Sequence, residues 1–588
     1  MRYRGPIFGG LVAGMGLFAG LAFAGEPAKP VCDPVTGVCK IPGPKKPVRA
    51  GRTNETGVPL QFRLFDAFGR EVRASDYRGS PLLIVAGACW CGGCQQDAEV
   101  LRGVEQKYRA RGLEVIRSTS LDNELPAWEF QKHYRLPVVQ LIDPVREFER
   151  RYNPDGWTFL MLADGEGRVV YRANCPIDWP GVEARLDSLL AKRRETKTIA
   201  RDGVWYVPAV LERSGETDAA RRRDVFPSLA CASNGRKYVC YTTDRNGTHD
   251  VYVRVFDGRA WLPDRPVAAT EADEFDGAIA VDAEGRAWIS WTSNQAGPLY
   301  DVFVARLPGA SEKIEPVQVT RSDDDAMHAR LAADAKGRVW VTYYRWAKMG
   351  GRSRDKEVYT RWLDGSRLSE EIHVSPSDVP VYEDHFDPAI VTQGDSVFVG
   401  WSWDYHRPKG YSPVPQSPSI FLRRVDPGGL GPVRAVSGPE CDTRPTLGAG
   451  SNGWIVCAWE SVTRHRDGLR KVICTSVEDP AQEEQPGTGV DVSGLKENVC
   501  TPSLAMSPAG EAALVWSEVD AGGKWTLKQV AWSGKSGWGT AKTLLAQGNP
   551  RFASPAFDEH GRLWVACSVE REHGREIEVI ECGSGRGY

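Results

Sequence analysis

The chain has 588 residues, with 74 Lys and Arg against 77 Asp and Glu, for a formal net charge of −3. That length exceeds one ordinary domain. The charges of both signs are interspersed, which excludes the basic footprint of a nucleic-acid-binding protein. The 14 cysteines form an even number, compatible with an oxidising compartment.

Arg2 and Arg4 precede an apolar, glycine-rich stretch from Ile7 to Leu21, and Ala22-Phe23-Ala24 offers small residues where a signal peptidase reads. A signal peptide over residues 1–24 is therefore predicted, with export to the periplasm or the extracellular space. The competing reading is an uncleaved anchor, but the stretch is short for a span. No other stretch approaches transmembrane length, so no stable span is expected after cleavage. Residues 25–55 read as a Pro- and Lys-rich linker with too little apolar content to fold alone. Cys32 and Cys39 within it are placed to close a local disulfide, or to act as a tethered substrate or relay for a thiol pair downstream.

From Pro59 to Leu190 strands and helices alternate. Leu60 to Phe65, Leu82 to Ala86, Leu113 to Ile116, Val138 to Ile142, Thr158 to Leu162 and Val169 to Tyr171 read as strands. Ala98 to Tyr108, Trp128 to Tyr134 and Val182 to Leu190 read as helices. An α/β domain over 56–195, with helices on both sheet faces, follows. Directly after the strand at Leu82 comes Trp90-Cys91-Gly92-Gly93-Cys94. Two thiols so spaced at the first turn of a helix can close a small reversible disulfide. Metal ligation is the other chemistry of such a pair, but no second CysXXCys and no histidine at zinc-finger spacing completes a ligand set. No metal site is assigned, although the third thiol, Cys89, keeps a Cu(I) or Zn alternative open. Cys91 at the helix N-terminus is the expected attacking nucleophile, because unsatisfied amides and the helix dipole favour thiolate. Cys94, one turn inside, is the expected resolving thiol. Asp97 follows on the same face, and its plain reading is a carboxylate complementing the dipole.

The segment FDAFGREVRASDYRGSPLLIVAGACWCGGCQQDAE resembles the redoxin and TlpA/ResA-like branch of the thioredoxin superfamily. Asp76-Tyr77-Arg78-Gly79 is similar to that branch's SDYRG-type turn, Trp90 to Cys94 to its WCXXC, and Gly156 to Arg172 to its closing hairpin. The resemblance implies a thioredoxin-like fold, thiol-disulfide exchange on protein substrates, an external thiol reductant and no cofactor. It places Trp90, Gly92, Gly93 and Gly156 at the substrate surface and gives Asp97 an acid/base role near the buried thiol. One departure is that Gly156 stands where the superfamily carries a cis-proline, with Pro154 two residues earlier. Cys175, in Asn174-Cys175-Pro176, reads as a resolving partner or as a buried structural thiol. The PXXXTXXC pattern of peroxiredoxins is absent, which favours dithiol exchange over peroxide reduction.

From about 200 to 588 the helical signal gives way to a repeat: FPSLACASNGRKYVCY, FDGAIAVDAEGRAWISW, HARLAADAKGRVWVTYY, FDPAIVTQGDSVFVGW, TRPTLGAGSNGWIVCAW, TPSLAMSPAGEAALVW and SPAFDEHGRLWVAC. Gly235, Gly285, Gly337, Gly394, Gly453, Gly510 and Gly561 mark its turns, at the spacing of a four-stranded propeller blade. The prediction is an all-β propeller of about seven blades, six or eight being the alternatives, with Val204 to Leu211 supplying the strand that closes the last blade. Asp276, His328, Asp387 and Arg444 break the apolar pattern at the start of their repeats and are candidates to face a central channel and bind a polar ligand or partner. Cys231 with Cys240, Cys441 with Cys500, Cys457 with Cys474 and Cys567 with Cys582 are candidate disulfides.

The reading favoured by the intact WCXXC is an exported thiol-disulfide oxidoreductase whose propeller positions a partner. Two alternatives stay open: a non-catalytic propeller-based binding protein with a degenerate redoxin module, and a metal-handling protein using Cys89, Cys91 and Cys94.

Overall fold

In the computed structural model, residues 56–191 and 222–587 are described apart from short internal stretches, together with two short strands near the N-terminus. The signal segment, Val204 to Leu211, Pro154 and Gly156 lie outside the described residues. Residues 1–53 form one unit and 54–588 another. In the first, β1 (Val31–Cys32) pairs antiparallel with β2 (Cys39–Lys40), placing Cys32 opposite Cys39.

The second unit begins with β3 (Arg63–Asp66), β4 (Glu71–Arg73), β5 (Leu82–Ala86), α1 (Gly92–Tyr108), β6 (Glu114–Thr119), α2 (Glu124–His133), β7 (Val139–Ile142), α3 (Glu147–Tyr152), β8 (Phe159–Ala163), β9 (Val169–Asn174) and α4 (Trp179–Leu190). The strands make one sheet in the order β4-β3-β7-β6-β5-β8-β9. β5, β6 and β7 run parallel, β8 runs antiparallel to β5, and β9 antiparallel to β8. Alternation sorts β5 between two cores. Leu83 and Val85 join Leu101, Val104 and Leu186 of α1 and α4. Leu82, Ile84 and Ala86 join Phe148 and Tyr152 of α3. Both faces are thus covered, as a sheet with a parallel centre requires. Several segments differ from expectation: α1 starts six residues earlier than its apolar periodicity, at the CysXXCys, α2 starts four residues before Trp128, and neither β4 nor the short α3 carries a clear periodic stripe.

The remainder is a large all-β region of six sheets. Five hold 274–318, 326–373, 384–435, 441–491 and 498–545, each opening on its own first strand. The sixth joins the strands of 222–268 to those of 551–587, through parallel pairing of Arg222 and Arg223 with Gly574 and Arg575. The opening strands lie side by side in chain order, and Arg551–Phe557 lies against Arg222–Cys231. Every opening strand carries the same bulge, at Phe226, Asp276, His328, Asp387, Arg444, Thr501 and Phe552. Each of those residues has a φ between +51° and +60°, a left-handed conformation unusual outside glycine.

The hairpin turns after these strands explain the recurrent glycine. In Asp282-Ala-Glu-Gly285-Arg286, Gly285 has φ +76°. The Asp282 carboxylate accepts from the Glu284 and Arg286 amides, from the Arg286 side chain and from Trp288 Nε1. Asp334 and Asp558 hold the same set of donors in their own repeats. The eight cysteines of the all-β region are free thiols, which corrects the four disulfides considered from spacing. The register explains why: Cys231 faces Lys237, Cys457 faces Ser476 and Cys567 faces Glu578.

Candidate functional site

Cys91 is the N-cap residue of α1, immediately past the β5-to-α1 loop. Its thiol is pulled down to about 7, chiefly by a hydrogen bond from the Cys94 thiol, against burial, with help from the Cys94 and Gly93 amides and the Thr158 hydroxyl. Cys94 is driven the opposite way, by its bond with Cys91 and by burial. Its Sγ lies 3.9 Å from Thr158 Oγ1. A Cβ on Gly87 would sit 2.5 Å from that sulfur, so the residue after β5 has to be glycine for Cys94 to occupy its place. Gly93 is exposed and leaves Cys91 Sγ uncovered on its side. The Asp97 carboxylate accepts from Trp179 Nε1 at 2.7 Å and from the Cys175 thiol at 3.6 Å.

Cys89 does not join Cys91 and Cys94. It is buried, its amide donates to Asp122 at 2.7 Å, and its sulfur lies 3.5 Å from Arg117 Nη1. A guanidinium at that sulfur opposes a bound cation. Among the described residues, the one cluster with three metal-capable groups is Glu129, Asp276 and His328. There Arg330 contacts both Asp276 oxygens and His328 Nε2 at 3.0 Å, already supplying the positive charge.

Trp90 departs from its expected place at an open substrate surface. It is 2 % exposed and packs with Ala88 against Phe386 and Cys441 of the all-β region, where Cys91 and Val462 join the cluster. The cause is α2. Asn123 caps it by accepting from the Leu125 amide, and Pro126 falls in the first turn, where its missing N–H costs nothing. Every residue from Glu124 to His133 except Gln131 is buried. Its polar side chains are met one by one: Glu124 by Arg551, Glu129 by His328 and Tyr344, Lys132 by Asp273, and His133 by Asp325 at 2.7 Å while stacking 3.7 Å from Trp346. From α1, Gln95 donates to Asp384 at 2.5 Å.

The four residues singled out at the repeat starts do face a common space. Asp276, His328, Asp387 and Arg444 line a cavity of about 300 Å³ whose wall also includes Asn123, Leu125 and Pro126. Their polar groups are largely committed to neighbours: His328 to Glu129 of α2, Asp276 to Arg330, and Arg444 to Glu460, with Asp122 3.8 Å and Asp387 3.9 Å from Arg444. Burial drives His328 down to about 4 and Glu129 up to about 7. Sequence reasoning missed α2 as the docking element because nothing in its own residues names the distant partners of Glu124, Glu129, Lys132 and His133.

Residues 54–190 match the Redoxin family. Over 111 residues the chain is 28% identical to the thiol-disulfide oxidoreductase ResA of Geobacillus kaustophilus, covering 18% of this chain and 64% of that protein. Over 109 residues it is 23% identical to the ResA of Bacillus thuringiensis subsp. konkukian, where it spans 63% of the relative's length. It is also 30% identical over 122 residues to a chloroplastic peroxiredoxin Q of Triticum aestivum, covering 21% of this chain and 54% of that one. A solved structure of a putative thiol:disulfide interchange protein DsbE from Chlorobium tepidum aligns with 23% of this chain and 98% of its own, at 26% identity and a TM-score of 0.21. No described helix is long and apolar enough to cross a membrane.

Proposed function

We propose that the chain is an exported thiol-disulfide oxidoreductase whose redoxin domain is held on a seven-bladed propeller. The observation that carries the reading is the asymmetry of the pair: Cys91, half-buried, is held near 7 while its partner Cys94 is buried and held as a thiol. Cys91 as thiolate attacks a substrate disulfide, forming a mixed disulfide and releasing one substrate thiolate. Cys94 then loses its proton and attacks Cys91 Sγ, which frees the second substrate thiolate and leaves a Cys91–Cys94 disulfide. Seven bulged opening strands in succession, the last against the first, support the propeller. The apolar N-terminal segment supports export.

The propeller's partner, in this reading, is the redoxin domain itself. At the channel mouth His328 meets Glu129 of α2, while Asp276 pairs with Arg330 and Arg444 with Glu460, which supports a mouth engaged within the chain rather than by an outside ligand. Disulfide reduction by the full chain and by Cys91→Ser is the test. Loss of activity in the variant is expected; equal rates would refute the enzyme reading and leave a binding protein.

A further inference from the structure

Three thiols share one end of the redoxin sheet. Asn174 at the end of β9 pairs with Phe159 of β8, so Cys175 comes next to Thr158, whose hydroxyl lies 3.9 Å from Cys94 Sγ. From the helix side, Asp97 stands one turn beyond Cys94 on α1. Its Oδ2 accepts from the Cys175 thiol at 3.6 Å, and Trp179 Nε1 fixes Oδ1 at 2.7 Å. A nucleophile, a base and a donor that orients the base are therefore in contact. Burial raises the Asp97 carboxyl above its ordinary range, and burial with Asp97 alongside pushes the Cys175 thiol up to about 12, so Cys175 rests protonated and gives its proton to Asp97 only as it attacks. Of the three thiols only Cys175 is exposed; Cys94 is buried, and Cys91 is half-covered beside Phe386 and Cys441.

The geometry points to Cys175 as a relay thiol, the exposed sulfur through which an external dithiol protein, too large to reach the covered pair directly, reduces the Cys91–Cys94 disulfide. This rests on the dithiol reading above. In the oxidised protein Asp97 takes the Cys175 proton as that sulfur attacks Cys94 Sγ. The Cys91–Cys94 bond breaks, a Cys94–Cys175 bond forms, and Cys91 departs as thiolate, with no net oxidation. Cys94 is the sulfur on the Thr158 and Asp97 side, and Cys91, having the lower pKa, is the better leaving group. The external dithiol then attacks exposed Cys175 and releases Cys94, and its second thiol closes its own disulfide and releases Cys175. The dithiol loses two electrons, its two protons end on Cys94 and Cys175, and Asp97 keeps the proton it took.

The test uses the full chain. Cys91→Ser protein is oxidised with glutathione disulfide and digested without reduction. A Cys94–Cys175 peptide pair is expected; recovery of both only as free or glutathionylated thiols overturns the relay. Cys175→Ser should still form the Cys91–Cys94 disulfide and lose it to dithiothreitol at the parent rate, yet be reduced more slowly than the parent by a dithiol protein such as thioredoxin. Equal rates with that protein also overturn the relay. A parent chain that never forms Cys91–Cys94 sinks the dithiol reading and the relay together, whereas one that forms it but never Cys94–Cys175 sinks the relay alone.

Discussion

Cys94→Ala isolates what makes Cys91 reactive. The Cys91 thiol is held at about 7 against an ordinary 9, a preference for thiolate of two units or about 2.7 kcal/mol. The largest cause is the Cys94 thiol; the Cys94 and Gly93 amides and Thr158 contribute less. A hydrogen bond to a charged group is worth about 1.5–3 kcal/mol. Removing the Cys94 sulfur while keeping the helix should therefore return the Cys91 midpoint by roughly one to two units, to about 8–9. The assay is alkylation of Cys91 by iodoacetamide from pH 5 to 10, followed on the Cys91 peptide by mass spectrometry so that other thiols do not contribute. A midpoint still near 7 in the variant would show that helix and backbone alone set the value. A parent midpoint near 9 would refute the assignment of Cys91 as attacker.

Lys132→Met strands the Asp273 carboxylate between His249 and Tyr300; breaking such a buried pair should cost about 3 kcal/mol, read as a lower urea midpoint and faster cleavage of the redoxin domain by protease. Gly87→Ala should push the Cys94 sulfur aside, cost roughly 1–3 kcal/mol, and slow formation of the Cys91–Cys94 disulfide in a timed thiol-trapping assay. For the Glu129–His328 contact the signs oppose. Glu129, raised to about 7, costs stability as pH rises from its unfolded value to 7; His328, lowered to about 4, costs stability as pH falls from 6.5 to 4. The two offset each other between about pH 4.5 and 6.5. Glu129→Gln removes one side, so its urea midpoint should fall from pH 7.5 to pH 5 more steeply than the parent's, and parallel profiles would contradict the pairing.

Elements whose physics is local were legible in the sequence. The β5 run, the CysXXCys at the start of a helix, and the seven turn glycines depend on neighbours a few residues away, and all seven glycines adopt positive φ. Asp276, His328, Asp387 and Arg444 were legible as a set because each breaks the same apolar pattern; Phe226, Thr501 and Phe552 occupy equivalent bulges but blend into it. What could not be read was the use of those residues. Glu124, Glu129, Lys132 and His133 look like a solvated face, since nothing in ten residues of α2 announces counter-charges at Arg551, His328, Asp273 and Asp325. The covering of Trp90 follows from that docking and was equally hidden. Asp97 illustrates a finer limit: spacing put it on the face of Cys94, but Trp179, 82 residues later, decides where its carboxylate points.

The docking of α2 also sets a schedule for synthesis. The redoxin domain leaves the ribosome first, carrying a helix whose charges have no counterpart until the sheets behind it exist. Glu124 waits roughly 430 residues for Arg551, on the order of 20–85 s at bacterial-to-eukaryotic elongation speeds. The sheet that joins 222–268 to 551–587 is completed only after the other five. Throughout that interval the α2 face lacks its full set of partners, so the nascent chain passes through a stage in which the Cys91 thiol is more open to other proteins than it will be once the six sheets have formed.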